Sequence, residues 1–133
     1  MRQLHGWHLL FDGYTHKAES LGAERIQALF DNLVKTLKMR YLGEPTCRRV
    51  ELDPGKLNTD EDEGGYSYIA PITTSHIAIH CWPLRKAFML DIFSCKKYDM
   101  DKAVRAICIG LDVRKYEIRC IERYGPIEPP SDN

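Results

Sequence analysis

A chain of 133 residues is enough for one domain with a sizeable core, with no need of disulfides or a structural metal. Its 19 basic and 19 acidic residues cancel, which removes the charge steering that nucleic-acid and membrane-surface binders use. The apolar runs fall far short of the roughly 18 residues that suggest a membrane span, and the N-terminal MRQLHGWHLLFDGY does not read as a secretory signal. Five cysteines, an odd number with no CxxC pair, argue against a disulfide framework or a zinc knuckle and fit a reducing cytosol.

The pattern predicts a strand over residues 5–12, where partial alternation puts Trp7, Leu9 and Phe11 on one side. A helix is predicted over 23–39, with Ile26, Leu29, Phe30, Leu33, Val34 and Leu37 on one face, started by Ser20 or Gly22 and closed before Gly43 and Pro45. A short strand over 47–53 leads into an acidic, Gly-containing stretch, 54–65, that reads as an exposed loop. Strands follow over 66–73, 76–82 and 87–94. In the second, Ile77, Ile79 and Cys81 share one face, and His76, Ala78, His80 and Trp82 the other. Asp99 or Asp101 is placed to cap a helix carrying Met100, Ala103, Val104, Ile107 and Leu111. A last strand covers 114–122, and the proline-rich residues 124–133 read as a loose tail. The order β-α-β-β-β-β-α-β predicts a single α+β domain over 1–133. It is a two-layer sandwich, an antiparallel sheet with helices on one face, whose other face is free to meet a second copy.

His76 and His80 have the HxxxH spacing of a metal pair. On a strand they stand about 13 Å apart at roughly 3.3 Å per residue, too far to share an ion, so no metal site is expected. A larger pattern runs through residues 65–95, GYSYIAPITTSHIAIHCWPLRKAFMLDIFSC. With Ser67, Ser75, His76, His80, Trp82, Pro83, Asp91, Phe93 and Cys95 in place, it resembles the bacterial and archaeal S-adenosylmethionine decarboxylases. The G-x-H-L-L-x-D of residues 6–12, with Trp7 and Phe11 at its two variable positions, and the closing Ile-Glu-Arg of 121–123 extend the resemblance over nearly the whole chain.

The resemblance implies a cofactor made from the chain itself. The Ser75 hydroxyl attacks the Thr74 carbonyl carbon, the peptide bond becomes an ester, and elimination splits the chain into 1–74 and 75–133, leaving a pyruvoyl group at position 75. By the same resemblance Ser67 and His80 are the processing residues, a hydroxyl donor for the oxyanion and a base for the α-proton. The pyruvoyl carbonyl then forms a Schiff base with the substrate amine and acts as an electron sink. Cys95 returns a proton to the substrate carbon, and Trp82 and His76 contribute to substrate binding. The substrate implied is S-adenosylmethionine, whose decarboxylated product is the aminopropyl donor for spermidine. The protomer is implied to be half of a homodimer with active sites near the subunit contact.

The sequence departs from the family pattern in three places. Thr74 stands where the family has Glu, Leu84 replaces the Glu of W-P-E, and residues 60–63 are Asp-Glu-Asp-Glu where an aromatic residue is usual. These keep two alternatives open: a pyruvoyl decarboxylase of arginine or ornithine, and an unprocessed relative that binds or regulates without catalysis.

Overall fold

The computed structural model describes residues 4–50 and 64–125. The elements are β1 (His5–Thr15), α1 (Ala23–Thr36), β2 (Thr46–Val50), β3 (Gly65–Ile72), β4 (Ser75–Trp82), β5 (Ala87–Ser94), α2 (Met100–Gly110) and β6 (Val113–Tyr124), with 3-10 turns at Ala18–Leu21 and Pro83–Arg85. The predicted order and fold class hold. The strands form one antiparallel sheet in the order β2-β3-β4-β5-β1-β6.

Period-two burial puts Leu9 and Phe11, Tyr68, Ala70 and Ile72, Ile77 and Ile79, and Phe88, Leu90 and Ile92 on one face. On that face they meet Ile26, Leu29, Phe30 and Leu33 of α1 and Ala103 and Ile107 of α2 in one core. Phe30 meets the Tyr68 ring edge-on at 4.9 Å. Asp99 caps α2, its carboxylate accepting the Lys102 N–H at 3.1 Å. The cap of α1 is Gly22, which offers no side-chain bond.

Several boundaries move for local reasons. Helix α1 stops at Thr36 rather than 39. Lys38 turns left-handed at φ 57°, and the Met39 N–H closes back on the Val34 carbonyl at 2.8 Å, ending the helix as such turns do. Thr73 belongs to a turn and not to β3. β1 runs on to Thr15 because Asp12, Gly13 and Tyr14 remain paired on both sides. The expected strand 47–53 is seen as Thr46–Val50, and its remainder lies outside the described residues, as do residues 54–63 of the acidic loop and 126–133 of the tail. Residue 124 closes β6.

Gly65 is required where β3 begins. Its φ is 122°, and an added Cβ would run into the Cys81 carbonyl oxygen. Phe30→Ala is expected to cost about 3–5 kcal/mol of unfolding free energy. Gly65→Ala should also destabilise, through backbone strain rather than a cavity. Urea titrations of both variants check this, and a near-neutral Phe30→Ala would contradict the core assignment.

Candidate active site

β3 and β4 are joined by two residues, Thr73 and Thr74, with Ile72 paired to Ser75. Two-residue hairpins usually take positive φ within the loop, which suits Gly or Asn and not a β-branched residue. Here the unusual angle falls instead on Ser75, at φ 148°, a region that non-glycine residues rarely occupy. Strain is therefore held at the residue whose upstream peptide bond is the expected cleavage site. The register Ser75↔Ser94 brings the hairpin to the end of β5, and the Cys95 N–H donates to the Thr74 carbonyl oxygen at 2.9 Å. A donor on that oxygen polarises the carbonyl carbon and is already in place for an oxyanion.

Ser94, buried to 1% exposure, holds the turn from below. Its Oγ lies 2.9 Å from Thr74 Oγ1 and accepts the Lys96 N–H at 3.0 Å. Tyr98 anchors the segment after β5: its hydroxyl donates to the Ile92 carbonyl at 2.7 Å and accepts the Leu9 N–H at 3.1 Å. Burial holds that hydroxyl well above the usual phenol range.

Ser67 and His80 are directly opposite on β3 and β4, with Oγ 2.8 Å from Nδ1, so the two side chains expected to act in processing are in contact. They lie on the sheet face away from the helices. His80 lies five residue steps along the strand from Ser75, about 16 Å at the usual rise. The pair thus does not meet Ser75 of its own chain. Near the His80 end, Trp82 joins Asp12, Tyr14, Arg85, Met89 and Glu117 around an open cleft of about 550 Å³. Leu84 is 70% exposed in the turn beyond it.

His76 stands on the same face of the sheet as Ser67 and His80, with Asp91 as its side-chain partner. Its Nε2 and that of His8 each lie 2.8 Å from the same Asp91 oxygen, Oδ2. Three adjacent strands, β4, β5 and β1, supply the cluster, and its donor atoms lie within 4.8 Å of one another. Such a set has the composition of a metal site, but each imidazole directs a ring nitrogen at the carboxylate. Burial pushes the Asp91 carboxyl up; the hydrogen bonds from His76 and His8 and their charge outweigh it and leave it below its ordinary value. Ser94, Tyr98 and His8 were not singled out as site residues from sequence. Ser94 and Tyr98 are buried and carry no local spacing signal; His8 stands in the G-x-H-L-L-x-D stretch, but its partners come from other strands.

Cys95 is an exposed free thiol beside the hairpin. Cys81, by contrast, is buried, and burial pushes its thiol up to about 11.

This two-layer sandwich is the fold of an adenosylmethionine decarboxylase from Aquifex aeolicus. That structure superposes with a TM-score of 0.67 at 24% identity, over 99% of this chain and 100% of its own. A family model described as S-adenosylmethionine decarboxylase matches residues 7–124, and the chain belongs to that family. An arginine decarboxylase proenzyme of Aeropyrum pernix is 33% identical over 63 residues, 47% of this chain and 48% of the relative. An S-adenosylmethionine decarboxylase proenzyme of Clostridium botulinum is 40% identical over 60 residues, 44% of this chain and 52% of the relative. The chain thus spans about half the length of the curated relatives it matches.

A carboxyl with a lowered folded pKa stabilises the fold above its unfolded pKa, and the contribution is lost as pH falls through the folded value. Asp91→Asn is therefore expected to lose about 1–3 kcal/mol at neutral pH, by stranding two partly buried imidazoles. Its deficit against the unsubstituted protein should close as acid protonates Asp91. Urea titrations along that acid limb test this; a deficit independent of pH would contradict the charged network.

Proposed function

We propose that this chain is a self-processing, pyruvoyl-dependent decarboxylase of a cationic amino acid, cleaved between Thr74 and Ser75. The observation that carries the reading is the strained Ser75 following a carbonyl already held by the Cys95 N–H. In this reading the Ser75 Oγ attacks the Thr74 carbonyl carbon, the Cys95 N–H stabilises the oxyanion, and the peptide C–N bond breaks to give an ester. The residues present fit the pyruvoyl group that this chemistry would leave at position 75. Once formed, that group supplies a carbonyl that takes up the electrons freed as carbon dioxide leaves. Cys95, which follows the strand partner of Ser75, is assigned as the group that gives a proton to the substrate carbon.

The base comes from a second copy. With the Ser67–His80 pair about 16 Å along the strand from its own Ser75, a two-fold arrangement supplies what one chain lacks. The face that would be covered carries exposed Ile69, Met89 and Ile121, an apolar surface suited to a homodimer. His80 of the partner subunit, oriented by its own serine, then removes the Ser75 α-proton.

S-adenosylmethionine is the leading substrate: it is cationic, and the cleft beside Trp82 carries the carboxylates of Asp12 and Glu117. Arginine is the second reading, favoured by Leu84, which offers no carboxylate to ribose hydroxyls, and ornithine belongs with it as another basic amino acid. Release of carbon dioxide from the three, tested side by side, separates them. A protein that cleaves but turns over none would overturn the substrate assignment.

Ser75→Ala is expected to abolish cleavage and activity. Cys95→Ala keeps the backbone donor, so it should still cleave while turnover falls by about a hundredfold or more. Full activity in Cys95→Ala would remove it as the proton donor. Co-expression tests the shared site. Ser75→Ala and His80→Ala chains, each uncut alone, should together yield cleaved His80→Ala chains. If co-expression leaves both uncut while tagged chains copurify, the base is not shared across subunits.

A further inference from the structure

Beneath the hairpin, on the helix side of the sheet, lies a small cavity of about 120 Å³ whose lining includes Thr74 and Ser94. Four cations also line it: Lys38 and Arg40 from the segment after α1, and Lys96 and Lys97 from the segment after β5. No acidic residue is among the lining residues, in a chain whose charges cancel overall. Among the described residues none of the four is in an ion pair. Lys38 sits in the left-handed turn that ends α1, a position that ordinarily favours glycine. The Arg40 carbonyl accepts the Thr73 N–H at 2.9 Å, which ties its segment to the hairpin.

We propose that this cavity is the receptor for the carboxylate that leaves Thr74 during self-cleavage, and that its four cations promote the elimination step. The inference rests on the self-processing reading above. In the ester, Ser75 Oγ is bonded to the Thr74 carbonyl carbon. Elimination removes the Ser75 α-proton to the base, places a double bond between Cα and Cβ, and breaks the Cβ–Oγ bond. The electron pair leaves with that oxygen, which becomes one of the two carboxylate oxygens of Thr74. Water then converts residue 75 to the ketone and frees ammonia. Negative charge therefore develops at Thr74, beside the cavity, in the elimination and not in the starting peptide. A fixed positive field there favours the transition state. It also retains the new C-terminus, which continues to accept from the Cys95 N–H. The side chain at 74 need not be acidic for this, and an acid there would compete for the same cations.

The test is a time course of cleavage in freshly purified full-length protein, with and without hydroxylamine, which cuts an ester between Thr74 and Ser75 and leaves a hydroxamate of distinct mass. Exposed charges act weakly one at a time, so neutralising all four (Lys38→Gln, Arg40→Gln, Lys96→Gln, Lys97→Gln) is expected to slow spontaneous cleavage by about tenfold. The hydroxylamine-sensitive ester should accumulate in that variant. A variant with Lys38→Arg, Lys96→Arg and Lys97→Arg should cleave at the original rate. Pairwise variants of the two segments, checked by thermal melting, serve if the fourfold variant does not fold. Unchanged cleavage in the neutral variants would overturn the proposal, as would slowing without ester or failure of the arginine variant to restore the rate. An unsubstituted protein that neither cleaves nor forms ester would sink the self-processing reading itself, and this inference with it.

Discussion

One hydrogen bond organises the site: the Cys95 N–H on the Thr74 carbonyl oxygen. It exists because a two-residue turn leaves no slack between β3 and β4, and because β5 pairs with β4 so that Ser94 lies opposite Ser75. A longer loop would let the carbonyl swing to solvent. A register slip of one residue would put a different group opposite Thr74 and turn the strand's side chains to the other face. Two β-branched threonines in the turn resist positive φ, so the angle falls on Ser75. The bond proposed to rearrange is thus both polarised and strained by ordinary sheet geometry.

The sheet sorts its two faces by chemistry. One is apolar and covered by α1 and α2. The other carries Ser67 with His80, and Asp91 between His8 and His76. These polar pairs reach across neighbouring strands, which a period-two pattern can place on a face but cannot pair. That explains how much was legible in the sequence. Ile77, Ile79 and Cys81 against His76, Ala78, His80 and Trp82 was read from alternation, and burial agrees except at Ala78, which is buried on the other face. The helical faces followed from three- and four-residue spacing. The end of α1 did not, because nothing in Leu-Lys-Met announces a left-handed lysine.

The site was legible in identity more than in arrangement. Ser75, Ser67, His80 and Cys95 stand out by spacing within a family pattern. That Cys95 would act on Thr74 through its backbone was not readable, since any non-proline residue offers the same donor. Nor was the role of Ser94, a buried hydroxyl in an apolar strand. The roughly 16 Å between Ser75 and His80 follows from strand geometry once both are placed on β4. That separation is why the proposed mechanism assigns His80 to the Ser75 of a second chain.

The central claim is that the Thr74–Ser75 peptide bond rearranges without help from another protein. Intact-mass measurement of purified protein, before and after borohydride reduction, tests it most directly. The account predicts two chains, 1–74 and 75–133, with the second gaining the two hydrogens of a reduced ketone and lacking a free amine. A single uncut chain, unchanged by borohydride, would contradict it.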